Sequence, residues 1–155
     1  MIPPLRFRRA EAQDAPLLTE IALAAKQHWG YPAEWMAEWR PDLAVTAGYI
    51  LSQPVVVAEA EGGVVGFAGL STLEGHRYLE HLWLQPQHIG RGFGRALFME
   101  AVGLARSAGE TELRIKSDPN AEKFYLKMGA VRTGAEVYDL LGKFRREVPL
   151  LIYQL

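Results

Sequence analysis

The sequence reads as a single α/β domain over residues 1–155, on three observations. Apolar β-like runs alternate with helix-periodic runs along the whole chain. Residues 54–60 and 64–70 flank Glu61-Gly62-Gly63, which is a hairpin signal. Leu82-Trp83-Leu84 leads into a glycine-rich stretch and then a helical run at 96–105, the order strand, glycine loop, helix. A chain of 155 residues is long enough to bury a sizeable core as one domain.

Each element has its own local cause. Residues 5–8 alternate like a short strand. Residues 15–27 carry a helical period, with Asp14 as the expected N-cap and Pro16 tolerated in the first turn. Trp29-Gly30-Tyr31-Pro32 breaks that helix. A short second helix is expected from Pro32 through Trp39, stopped by Pro41, and a third over 46–51. The hairpin 54–70 follows, then a strand over 77–84. After the glycine loop and its helix come a strand at 112–116, a helix from Pro119, and β runs at 130–138 and 148–153.

Composition excludes several function classes. The formal net charge of −1 lacks the positive excess of a nucleic-acid binder. With no cysteine there can be no disulfide, thiolate metal site or cysteine nucleophile, and no metal is expected. Met1-Ile2-Pro3-Pro4-Leu5-Arg6 lacks the apolar stretch of a signal peptide, and no run reaches the ~18 apolar residues of a membrane span. A cytoplasmic protein without membrane contact is the simplest expectation. A homodimer is compatible with the sequence, which does not fix the oligomeric state.

The glycine loop is Gln87-His88-Ile89-Gly90-Arg91-Gly92-Phe93-Gly94-Arg95. A loop of this kind points several backbone N–H groups at one spot beside the positive end of a helix, where a phosphate or pyrophosphate fits. Glycine keeps that spot open and allows the φ angles it needs. A dinucleotide fingerprint wants glycine where Arg95 stands, and a P-loop wants Gly-Lys-Ser/Thr at its end. Neither is present, and Gln87-x-x-Gly90-x-Gly92 fits a Gln/Arg-x-x-Gly-x-Gly/Ala pattern instead.

Asp118-Pro119-Asn120-Ala121-Glu122-Lys123-Phe124-Tyr125-Leu126-Lys127-Met128-Gly129 follows at a fixed distance, with the strand at 112–116 between. As local structure it is a capped helix, with Asp118 as N-cap and Gly129 as the stop. That account leaves Asn120 and Tyr125 unexplained. Together and in order, the two segments resemble the GCN5-related N-acetyltransferase (GNAT) superfamily, and the resemblance spans residues 5–155. It implies a mixed, mostly antiparallel sheet with helices on both faces. It also implies two splayed strands, with the pantetheine arm of acetyl-CoA or coenzyme A lying in the gap between them.

The resemblance also assigns residues. The backbone N–H of Leu82 becomes the donor to the thioester oxygen, and the backbone at Trp83 and Leu84 pairs with the pantetheine. Gln87, His88, Ile89, Gly90, Arg91, Gly92, Phe93, Gly94 and Arg95 form the pyrophosphate loop, chiefly through N–H groups. Arg91 and Arg95 read equally as added positive charge or as a solvated helix face. Tyr125 aligns with a tyrosine that protonates the leaving sulfur, with Phe124 as its apolar neighbour. Asn120 aligns with a residue that hydrogen-bonds the pantetheine, and reads equally as a helix-start residue.

Transfer of an acetyl group to an amine also needs a base. On strict strand alternation Glu80 shares a face with Tyr78, Leu82 and Leu84, two residues before the oxyanion donor. A carboxylate inside an apolar strand is expected to be buried and its pKa raised, which suits a base. Its other reading is a salt bridge or an edge position. His81 points to the opposite face, as a packed or hydrogen-bonded histidine. On the acceptor side, Lys26, His28, Trp29, Tyr31, Trp35 and Trp39 form an aromatic and polar cluster. His28, Trp29 and Tyr31 at the helix break, with Tyr78, are the expected substrate contacts. The acceptor is expected to be a primary amine of a small molecule or peptide.

Two other readings differ in kind. A non-catalytic acyl-CoA sensor of the same fold would keep the glycine loop and lose acid and base. A dinucleotide-binding domain would carry its glycine loop after the first strand, whereas here it lies past mid-chain.

Overall fold

The computed structural model describes residues 4–155. Met1–Pro3, part of the N-terminal stretch read above, lie outside them. Seven strands form one sheet: β1 (Arg6–Arg9), β2 (Val55–Ala60), β3 (Gly63–Leu73), β4 (His76–Leu84), β5 (Glu112–Lys116), β6 (Val131–Leu140) and β7 (Phe144–Gln154). Their spatial order is β1-β2-β3-β4-β5-β7-β6, and every neighbouring pair is antiparallel except β4 and β5. Three hairpins close through left-handed pairs, Glu61-Gly62, Glu74-Gly75 and Leu141-Gly142, matching the right-handed twist of the strands.

The helices divide between the two faces. On one lie α1 (Ala15–Gln27), α2 (Ala33–Leu43) and α3 (Ala47–Ser52), packed through Leu18, Ile21, Trp39, Leu43 and Ile50 against Val55, Val57 and Phe67. On the other lie α4 (Phe93–Ser107) and α5 (Glu122–Met128), packed through Phe93, Leu97, Phe98 and Tyr125 against Ala68, Leu70, Leu79 and Ile115. Each large side chain buried this way contributes roughly 1.5–3 kcal/mol. No helix among the described residues is long and apolar enough to cross a membrane.

Three local expectations are corrected. Pro41 does not stop α2, which runs on to Leu43 with Pro41 inside it. Trp39 and Leu43 are both buried, and the Ala44 N–H closes the last turn onto the Arg40 carbonyl. Asp14 precedes α1 but does not cap it. Its carboxylate takes two hydrogen bonds from Arg8 and one from the Glu11 N–H, capping a 3-10 turn that leads into the helix. The helix after the glycine loop begins at Phe93, three residues before the expected run, so the loop opens directly into its first turn.

Candidate active site

The pairing of β4 with β5 is confined to one register pair, Tyr78 with Arg114. Beyond it the strands part, and a cleft of about 610 Å³ opens between Leu79–Leu84 on one side and Lys116–Asn120 on the other. The hydrogen-bonding sides of β4 follow from its partner. The Gln85 N–H bonds the Val65 carbonyl, and Trp83 and His81 lie opposite Phe67 and Gly69. Alternation along an antiparallel ladder therefore turns the backbone N–H groups of Leu82 and Leu84 away from β3 and into the gap.

A bulge interrupts β4. Gly69 pairs with His81 and the next residue, Leu70, pairs with Leu79, so Glu80 is an extra residue on β4. The bulge breaks strict alternation. Leu79, not Glu80, shares the core-facing side with Leu82 and Leu84, and Leu79 is buried while Glu80 is exposed. The desolvation expected for Glu80 is therefore absent. Its carboxylate lies at the cleft wall and accepts a hydrogen bond from Ser71 Oγ at 3.0 Å. His81, on the opposite face, is buried and accepts from Trp83 Nε1 at 3.0 Å, and burial pushes its pKa down to about 4.

At the far end, Gly92 caps α4 in the left-handed region, with φ 83° and no side-chain cap. A side chain there would be strained as well as obstructive. The first turn of α4 holds no acidic residue. The N–H groups of Phe93, Gly94 and Arg95 precede the first intrahelical bond, which runs from the Ala96 N–H to the Gly92 carbonyl. Ile89, Gly90, Gly92, Gly94 and Arg95 line the cleft. Phe93 itself is buried in the core and reaches the loop only through its backbone.

Three loop side chains turn elsewhere. Arg91 binds Glu61 at 2.9 Å, His88 stands 3.2 Å from Arg91, and Gln87 donates to Gln85 at 2.6 Å. Phe124 and Tyr125 on α5 both line the cleft. Burial raises the pKa of Tyr125, and the nearby Asp118 charge adds to this. The Tyr125 ring packs on Phe98 and Phe124, so it is at once a core residue and a cleft residue.

A second group, unmarked by any local motif, gathers around Asp118. Its carboxylate accepts from Lys26 Nζ at 2.5 Å, from the Tyr31 hydroxyl at 2.9 Å and from the Asn120 N–H at 2.7 Å. Asn120 Nδ2 and Arg146 in turn donate to the Tyr31 hydroxyl at 2.9 and 3.1 Å. Burial opposes ionisation of Asp118, but Lys26 and these hydrogen bonds hold its carboxyl below its usual value. Arg146 lies over the rings of Tyr31, Trp35 and Trp39, at 5.1, 5.3 and 5.3 Å. Tyr31 thus sits behind the cleft rather than in its lining. Trp29 is 44% exposed at the rim, with His28 beside it and outside the lining. Tyr78 marks the base of the splay, with Lys116 Nζ 5.6 Å from its ring.

Known proteins share this architecture. The chain is 36% identical to an L-methionine sulfoximine/L-methionine sulfone acetyltransferase of Salmonella typhimurium, over 68% of this chain and 66% of that protein, just under two thirds of its length. It is 30% identical to the peptidyl-lysine N-acetyltransferase YiaC of Escherichia coli, over 79% of this chain and 81% of that one. The crystal structure of the PaiA N-acetyltransferase of Thermoplasma acidophilum in complex with coenzyme A superposes with a TM-score of 0.74 at 20% identity, covering 98% of this chain and 99% of that one. The family description "Acetyltransferase (GNAT) family" matches residues 16–130, which hold both the splayed strands and the glycine loop, and the chain belongs to that family.

Proposed function

We propose that this chain is an acetyl-CoA-dependent N-acetyltransferase acting on a primary amine. One observation carries the reading. The backbone N–H groups of Leu82 and Leu84 enter a splayed gap that runs from Tyr125 to the uncapped start of α4.

The residues present fit acetyl-CoA. The N–H groups of Phe93, Gly94 and Arg95 suit a diphosphate, with the Arg95 side chain adding charge. The backbone at Leu84 and the side chain of Asn120 suit the amides of the pantetheine arm, taken up as an added strand. Phe124 and Met128 supply an apolar wall. When bound, acetyl-CoA supplies an acetyl thioester, whose C–S bond breaks as the C–N bond to the amine forms.

The chain's own residues do the remaining work. The Leu82 N–H donates to the carbonyl oxygen, where negative charge builds. The Tyr125 hydroxyl, kept protonated by burial, gives its proton to the departing sulfur. Glu80, exposed at the cleft wall, holds the acceptor's ammonium and takes its proton, directly or through one water, so that the neutral amine attacks. Relatives named for acetylating L-methionine sulfoximine and peptidyl-lysine support an amine acceptor. The lack of cysteine is in keeping with a cytoplasmic enzyme.

The test is thiol release from acetyl-CoA across a panel of primary amines. Release matched by N-acetylated product is expected with at least one of them. Tight acetyl-CoA binding with no release for any amine would make the protein a sensor and overturn the reading.

A further inference from the structure

The mouth of the cleft carries two opposite charges that do not meet. Glu80 and Lys116 each lie two residues beyond the last rung between β4 and β5, Tyr78 with Arg114. Both line the cleft and both are exposed. Their anchors place them on one patch. Glu80 is held by Ser71 and Lys116 sits over the Tyr78 ring, while Ser71 and Tyr78 are themselves register partners across β3 and β4. Parallel strands lie about 4.8 Å apart at such a rung and diverge after it. No salt bridge joins Glu80 to Lys116 among the described residues. Lys116 pairs instead with Glu136 at 3.2 Å, with both side chains well exposed, and a surface pair of this kind is weak enough to be exchanged.

The other cleft charges are either filled or carried on the helices. Asp118 is filled by Lys26, Tyr31 and Asn120. Arg95 and Lys127 come from α4 and α5, not from the two strands. Glu80 and Lys116 remain as one anion and one cation on the two strands that frame the gap. The bulge is what brings Glu80 there, because the extra residue turns the carboxylate out of the core-facing row.

We infer that the acceptor is a zwitterion, a small amine that carries its own carboxylate as a free α-amino acid does. Its ammonium meets Glu80, next to the Leu82 N–H, and its carboxylate meets Lys116. The exposed indole of Trp29 at the rim offers an apolar surface for its side chain. A lysine in a protein brings an ammonium on a long apolar stem and no carboxylate to draw Lys116 from Glu136. The inference rests on the acetyltransferase reading and narrows its substrate.

The experiment compares kcat/KM for free α-amino acids with apolar side chains, for the same amino acids as carboxamides, and for a lysine-containing peptide. The free amino acids are expected to exceed their amides by about tenfold or more, the worth of one charge-assisted contact. Lys116→Met should bring acid and amide within about twofold of each other. Glu80→Gln should raise the KM of both. Circular dichroism and melting temperature check that each variant is folded, and Lys116→Arg should restore the preference if a variant melts early. Amides or the peptide turning over as well as the free acids would overturn the zwitterion assignment and leave the acetyltransferase reading standing. Acetyl-CoA binding with no turnover for any acceptor would overturn both.

Discussion

Asn120 Nδ2 donates to the Tyr31 hydroxyl at 2.9 Å, joining residues 89 apart in the chain. Asn120 lines the cleft and Tyr31 lies behind it. With its backbone N–H on Asp118 and its side-chain Nδ2 on Tyr31, Asn120 keeps its side-chain carbonyl oxygen as an acceptor with no partner among the described residues.

Tyr31→Phe keeps the ring among Trp35, Trp39 and Arg146 and removes the hydroxyl. Three hydrogen bonds lose a partner, and Arg146 already has a buried Nε without one. A stability loss of about 1–3 kcal/mol is expected, read by urea unfolding. Acetyl-CoA KM should rise several-fold with kcat changed less, because the freed amide of Asn120 binds and does not react. Unchanged KM in a folded variant would show that the hydrogen bond does not set Asn120.

Gly92→Glu should abolish acetyl-CoA binding, measured by calorimetry. The substitution strains a residue at φ 83° and puts a carboxylate where an anion is expected. Gly92→Asn separates the two effects, since asparagine tolerates the left-handed region. It should retain measurable affinity where the glutamate retains none. Equal affinity of Gly92→Glu and the parent protein would remove the loop from the site.

Tyr125→Phe should lower kcat while acetyl-CoA affinity stays near its parent value. General acid catalysis contributes typically ~10²–10⁴-fold, and the hydroxyl acts on charge that develops only during the reaction. The ring's contacts with Phe98 and Phe124 survive the change, so the melting temperature should hardly move. A loss of kcat below a few-fold would leave Tyr125 as a packing residue.

His81 predicts an acid-sensitive stability. Burial lowers its pKa from 6.5 to about 4 in the folded protein. Between those values the unfolded chain holds a proton that the folded chain does not. The stability is therefore complete above pH 6.5 and falls by about 1.4 kcal/mol per pH unit toward pH 4. Protonation would also turn the Nδ1 acceptor of Trp83 into a donor. His81→Gln keeps an acceptor and cannot titrate. Urea midpoints measured at pH 7, 6 and 5 should show a shallower slope for that variant, and equal slopes would refute the assignment.

The parts legible in the sequence are those that local rules determine. Gly90 and Gly92 announce a loop that only glycine can make, and both adopt positive φ. Glu61-Gly62 announces a hairpin, and it is one. The period-2 rule fails at Glu80, because a bulge inserts one residue into β4 with no glycine or proline in that strand to mark it. Pro41 was read as a stop, but Leu43 and Trp39 bury on the same cluster and carry the helix past it. Asp118 reads as the cap of the helix that carries Tyr125, but it caps the 3-10 turn Pro119–Ala121 that leads into α5, and its partners Lys26 and Tyr31 lie 92 and 87 residues away. Contacts that long are set by the topology of the sheet and leave no periodic trace. Arg146 and Lys116 escaped notice for the same reason.

The single rung between Tyr78 and Arg114 makes the sheet two plates, one of four strands and one of three, meeting at a corner. Away from that corner they are joined by side chains, among them the Lys26–Asp118 pair and the Arg146–Tyr31 bond. A molecule that hydrogen-bonds the free edge of β4 and touches α5 acts as a strut between the plates. Filling the cleft and stiffening the protein are then one event.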